Sequence, residues 1–138
     1  MASLLISARN SSRLTWGISV LIGLVLLYYV TYLHGVGKLT GADGLAGFFA
    51  QALGVGVWAV VLSGIAEVFG PFMMLYWRTA FYGAVLVVVN FLTASWVVWQ
   101  GGKFPTEELT YVVLGLIVAW MLRPDFLRPT PVITTVQV

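Results

Sequence analysis

Four apolar runs set what this chain can fold into: Leu14–Leu33, Val57–Leu75, Ala80–Trp99 and Leu109–Leu122. A transmembrane helix needs about 20 such residues, with a range of roughly 17–25. The first three runs meet that length and the fourth is short. Thr106 is placed to cap the fourth helix, with Glu107 and Glu108 at the positive end of its dipole. A start at Glu107 lengthens this span to 107–122, and tilt or local thinning of the bilayer supplies the rest. The expected fold is therefore all-α: a polytopic membrane protein, one domain over 1–138, built as a bundle of four transmembrane helices. Composition agrees. The chain is 60% apolar and 9% charged, against about 25% charged in a soluble domain, and its mean hydropathy is +0.97.

Composition also removes several classes of function. The basic residues are too few and too scattered to form a phosphate-binding stripe, so nucleic acid is not an expected partner. There is no cysteine, which excludes disulfides, thiol chemistry and cysteine-ligated clusters. One histidine cannot make a bis-histidine haem site within the chain. Arg9 and Arg13 precede the first apolar run, as in a signal peptide. That run exceeds the usual h-region of about 7–15 residues and no small-x-small cleavage site follows, so it reads as a retained span.

Lysine and arginine set the expected orientation. With four spans, Arg9, Arg13, Arg78, Arg123 and Arg128 share one side, and only Lys38 and Lys103 lie on the other. Both termini are then cytoplasmic, and the inner (cytoplasmic) membrane of a prokaryote is the expected location. The first outer loop contains a segment, 42–54, in which Leu45, Phe48, Phe49, Ala52 and Leu53 recur at helical spacing. It reads as a short interfacial helix with Asp43 as its cap, ended by Gly54 and Gly56. Tyr76–Thr79 is a tight turn. Tyr76 and Trp77 belong at the headgroup level, and Arg78 is an interface anchor that snorkels to phosphates.

Glu67 is the acid within the second apolar run. A carboxylate at bilayer depth costs about 2.5–3.5 kcal/mol on insertion scales. It is expected to face protein, water or a ligand. Glu67 precedes Arg78 by 11 residues and Asn90 follows it by 12, so both lie ~16–18 Å from the turn. Low dielectric disfavours the charged form, so the expected species is a neutral acid. Two readings stand: a polar gate that relays a proton, or helix glue bonded to Asn90 or to Ser63 on the same face.

His34 and Lys38 are four apart, on one face if the first helix extends that far, with Asp43 near in sequence. They are candidates to bind an anion or a quinone head group. The single histidine is also a candidate ligand to a pigment or haem held mainly by another subunit. The alternative is an interfacial anchor. Tyr28, Tyr29, Tyr32, Trp96 and Trp99 fall in the outer half, as a wall for a flat ring or as an aromatic belt. The ligand-binding candidates are thus His34, Lys38, Glu67, Asn90, Tyr28, Tyr32 and Trp96. No nucleophile triad, phosphate loop or metal-ligand spacing occurs, and no catalytic residue is assigned. Gly64, Gly70 and Pro71 point to close helix packing and a kink in the second span.

Two stretches carry a family resemblance. Tyr32-Leu33-His34-Gly35-Val36-Gly37-Lys38-Leu39 resembles the signature at the end of the first helix of DoxX-type membrane proteins. Gly64-Ile65-Ala66-Glu67-Val68-Phe69-Gly70, followed by Arg78 and a small-residue third helix, resembles that family's G-x-x-E-x-x-G and the arginine after it. The resemblance covers residues 14–122. It departs at Trp99-Gln100-Gly101, where many members carry a histidine. It implies a four-helix bundle attached to redox systems, such as the membrane subunit of thiosulfate:quinone oxidoreductase. The expected function is an accessory subunit of a quinone-linked electron-transfer complex, without catalysis of its own. Membrane lipid and other membrane subunits are the expected partners, and a quinone, lipid or pigment held with a partner is the expected non-covalent ligand. A structural subunit of a respiratory or photosynthetic assembly and a small transporter or proton pathway are the alternatives.

Overall fold

A computed structural model describes residues 2–39 and 45–124. Among them every regular element is a helix. In chain order these are α1 (Ala2–Leu26), a π-helix (Leu27–Gly35), one α-turn α2 (Val36–Lys38), α3 (Leu45–Leu53), α4 (Val57–Met73), α5 (Ala80–Gln100) and α6 (Thr106–Met121). Two stretches are long and apolar enough to cross a membrane, Arg13–Tyr32 and Ala80–Gln100. At 1.5 Å per residue, α4 and α6 are about 26 and 24 Å long.

Each long helix buries a narrow stripe. In the first it is Ser19, Gly23, Leu26 and Val30, at spacings of four and three. In α5 it is Ala80, Ala84, Val87, Phe91 and Ser95, and in α6 Tyr111, Gly115 and Val118. These are the i, i+3, i+4 rows of an amphipathic helix. The faces turned outward are the bulkier ones: Trp16, Tyr32, Trp58, Phe72, Trp96 and Trp120 are all exposed.

The α4–α5 hairpin closes over two glycines. A Cβ on Gly83 would lie 2.6 Å from the Gly70 carbonyl oxygen and 2.7 Å from the Met73 Cβ. The last carbonyls of α4 lack intrahelical donors. Thr79 Oγ1 donates to Met73 O at 2.8 Å, and the buried Ser19 Oγ donates to Met74 O at 3.0 Å. Those bonds tie α1 and the turn to one helix end. At the opposite end α3 and α5 finish alike. Gly54 (φ 65°) and Gly102 (φ 78°) occupy the left-handed region. Val55 N donates to Ala50 O and Lys103 N to Val98 O, the six-to-one bond of a Schellman motif.

The structure changes three boundary expectations. The first helix does not stop at Leu33 but continues to Lys38. Thr106 is the first residue of α6, not its cap. Pro105 takes the cap position and makes no side-chain cap bond. The interfacial segment begins its helix at Leu45, while Asp43, expected to cap it, lies outside the described residues, as do the side chains of Phe48 and Phe49.

The two-glycine contact gives a direct test. Gly83→Ala should destabilise the protein by about 1–3 kcal/mol, because overpacking a filled contact costs that much. Gly17→Ala, with nothing within 4 Å of the new Cβ, should leave stability unchanged or raised. Thermal unfolding of both variants in detergent checks the contrast.

Candidate functional site

The site begins at Pro71. A proline inside a helix has no N–H to offer the carbonyl four residues back, and its ring crowds that carbonyl. Here the carbonyl is that of Glu67. Thr31 Oγ1, from the π-helix, donates to Glu67 O at 2.7 Å. The break that proline makes in α4 is thus answered by the first helix. This bond holds the two helices together at the depth of the carboxylate.

Glycines set the distance between them. A Cβ on Gly35 would come within 3.1 Å of the Glu67 Cβ. One on Gly64 would come within 2.9 Å of the Lys38 Cβ and 3.1 Å of the Gly35 carbonyl oxygen. Backbone therefore lies on backbone, and Lys38 enters beside α4. Its ammonium pairs with Glu67 Oε1. Ser63 Oγ donates to the same oxygen at 3.1 Å and Asn90 Nδ2 at 3.3 Å. The equal depths of Glu67 and Asn90 read from the hairpin are therefore realised as contact. Glu67 is 1% exposed. Its other oxygen, Oε2, is buried with no hydrogen-bond partner among the described residues.

This geometry departs from the sequence reading in two respects. Lys38 does not snorkel outward with His34; it turns inward. Glu67 was expected as a neutral acid, with Asn90 or Ser63 as its partners in one reading, and it has a cation against it as well. Breaking a buried pair of this kind by removing one partner is costly, because it strands the other charge.

His34 goes elsewhere. Its Nε2 lies 3.2 Å from Glu107 Oε1, and the Tyr111 hydroxyl donates to the same oxygen at 2.9 Å. Tyr111 stacks at a tilt on Phe91, with ring centroids 4.9 Å apart, and lies within electrostatic reach of Glu67. Tyr111 and Thr31 were not singled out from sequence, and Glu107 was read only as an acid at the positive end of a helix dipole. Glu107 and Tyr111 are four apart on one helix, the one signal that links them.

The aromatic candidates divide into two groups. Tyr28 and Tyr32 are exposed and stack nearly parallel, centroids 6.0 Å apart, with Tyr29 edge-on to Tyr28. Trp96 lines a surface groove between α5 and α6 with Leu92, Trp99, Phe104 and Leu109. Arg78 sits over the Trp77 ring at 5.1 Å, at the far end of the bundle from His34. No cluster of three or more metal-ligating side chains occurs among the described residues.

Comparison with protein-family models, with curated proteins and with solved structures finds no match.

The link between Pro71 and Thr31 is testable by a double-mutant cycle. Thr31→Val should cost about 0.5–1.5 kcal/mol, the usual net value of one hydrogen bond. In a Pro71→Ala background the restored N–H supplies Glu67 O, and the same change should cost close to nothing. Equal costs in both backgrounds, measured by unfolding in detergent, would remove the link.

Proposed function

We propose that this chain crosses a membrane four times with both termini cytoplasmic, as a DoxX-like accessory subunit beside a quinone-linked redox complex. The four-span part is supported by the packing of the shorter helices. α4 and α6 both lie along α5, a helix long enough to cross, so they occupy the same layer. Many large apolar side chains face outward, while Ser19, Glu67 and Ser95 and the close-packed Gly70 and Gly83 lie inside, the distribution lipid favours. Arg13, Arg78 and Arg123 then fall on one side and Lys38 and Lys103 on the other. Arg78 and Arg123 each lie over a tryptophan, a fitting arrangement for the headgroup level.

The functional part is carried by one observation, the carboxylate of Glu67 held by Lys38, Ser63 and Asn90 inside the helices. Ionisable groups at bilayer depth mark substrate and proton paths. With one histidine and no cysteine, the chain brings neither a bis-histidine haem nor a cysteine-ligated cluster. Its part in electron transfer is that of an accessory, next to a partner that carries the electrons. A quinone, lipid or pigment shared with that partner has the exposed Tyr28–Tyr32 stack as its wall, near His34. The rival reading is purely structural, with the Lys38–Glu67 pair as glue, and the completeness of the contacts around Oε1 favours it.

Two measurements decide. Gly102→Cys and Thr134→Cys should label from opposite sides of sealed vesicles, since the chain has no cysteine of its own; labelling from one side refutes four spans. Glu67→Gln with Lys38→Met, which removes both charges of the buried pair together, should leave assembly intact and lower quinone-linked electron transfer in native membranes by about 10-fold or more, as loss of a proton-handling group does. Unchanged transfer in an assembled double variant would leave the structural reading in its place.

A further inference from the structure

We propose that the Lys103 end of α5 binds one anionic diacyl phospholipid, with an acyl chain in each of two clefts flanking Trp96 and its phosphate at Lys103. The inference rests on α5 crossing the membrane and needs no redox partner. The place is distinct from the Tyr28–Tyr32 stack, since neither tyrosine lines either cleft.

Two open clefts lie along the last turns of α5. One, of about 380 Å³, runs between α5 and α6 past Leu92, Ser95, Trp99, Phe104 and Leu109. The other, of about 260 Å³, runs between α5 and the end of α3 past Ala52, Leu53, Val55, Val97 and Gln100. Trp96 lines both. At 3.6 residues per turn, Leu92, Ser95 and Trp99 fall on one side of the Trp96 direction, and Val97 and Gln100 on the other. The indole is therefore the partition between the clefts. Sites that enclose a small molecule hold about 300–1,000 Å³. These clefts are at or below the small end of that range and open at the side, so each suits a slim chain and not a ring system buried whole. Their walls are mostly apolar, and the Ser95 hydroxyl already donates to Phe91 O at 2.7 Å within its own helix.

Both clefts end at one loop. Gln100 and Gly101 line one cleft, Phe104 and Pro105 the other, and Lys103 stands between them in sequence. Gly102 in the left-handed region and the bond from Lys103 N to Val98 O hold this loop on the end of α5. Lys103 is exposed, and among the described residues the two acids in ion pairs are matched to other cations: Glu67 to Lys38, Glu107 to His34. Glu108, one residue before Leu109, is the charge that Lys103 must outweigh. Tryptophans and a lysine at headgroup level make an aromatic belt on their own. Two apolar clefts converging on one cation make something more selective. A diacyl phospholipid has two apolar chains joined at one anion, whereas a quinone offers a single chain and no charge.

The test titrates the full chain, in mild detergent, with dioleoyl phosphatidylglycerol, dioleoyl phosphatidylcholine and mono-oleoyl phosphatidylglycerol, and counts bound lipid by native mass spectrometry. One dioleoyl phosphatidylglycerol should stay on each chain after weaker lipids are stripped. It should bind about five-fold tighter than the choline lipid, whose own cation opposes Lys103, and Lys103→Gln should remove about that factor, the value of one lysine beside an anionic headgroup. Lys103→Arg should retain it. Leu92→Trp and Ala52→Phe each fill one cleft from an exposed position. Each should bring the two-chain lipid down to the affinity of the one-chain lipid and leave the latter unchanged. Thermal unfolding checks that the variants are folded, and Ala52→Leu replaces Ala52→Phe should that one not fold. Equal binding of the glycerol and choline lipids, unchanged affinity in a folded Lys103→Gln, a two-chain advantage that survives filling of either cleft, or a ladder of equivalent lipids with none retained would overturn the inference. The cysteine labels report the topology separately, so a failed span is not confused with a failed lipid site.

Discussion

The buried carboxylate of Glu67 is the constraint around which the other contacts are arranged. An ionised acid in an apolar interior needs a cation and hydrogen bonds that fit, or it destabilises the fold by several kcal/mol. Lys38 meets that need only because the first helix runs on past its apolar stretch, and only because Gly35 and Gly64 let two backbones touch. The π-helix over Leu27–Gly35 lies where this happens. Wide turns of this sort concentrate at functional sites, and here the turn carries both Thr31 and His34 to their partners. Removal of any one of these features moves Lys38 away from the oxygen it neutralises.

Proline and carboxylate act on the same residue of α4. Pro71 frees the carbonyl of Glu67 while the side chain of Glu67 points into the bundle. Both polar groups of one residue are then answered by the first helix, one through Thr31 and the other through Lys38. Such a double attachment fixes the rotation of α4 about its axis. Its exposed face, Trp58, Leu62, Phe69 and Phe72, is thereby set outward, without reliance on apolar contacts that lipid would replace equally well.

The α5 limits, the α4 start and the closeness of Glu67 to Asn90 were legible in sequence, because they follow from run length, a tight turn and a fixed rise per residue. The partner of Glu67 was not. Assigning Lys38 and His34 to one face assumed a regular α-helix, and a π segment shifts the phase of every residue after it. His34 meets Glu107 while Lys38 meets Glu67, four residues on and on a different helix. The vacancy at the Glu67 carbonyl could have been read from Pro71 alone. Which hydroxyl fills it depends on the register between two helices far apart in sequence, which periodicity does not supply. The Thr106 cap failed for a local reason: Pro105 itself takes the cap position, so the helix begins one residue earlier than the hydroxyl suggested.

The two ends of the bundle show different solutions to the same problem of unsatisfied backbone. At the Arg78 end, Ser19 and Thr79 reach in from neighbouring segments and close the end of α4 with side chains. Those bonds join elements, so that end behaves as one packed unit. At the other end, α3 and α5 satisfy their own last carbonyls through left-handed glycines. Each helix there is capped by itself and owes nothing to its neighbours. Side chains at that end are consequently free to make other contacts, and it is there that His34, Glu107, Tyr111 and Lys38 gather. The division of polar work between backbone and side chain thus places the cross-tied end of the fold on one side of Glu67 and the His34–Glu107–Tyr111 contacts on the other.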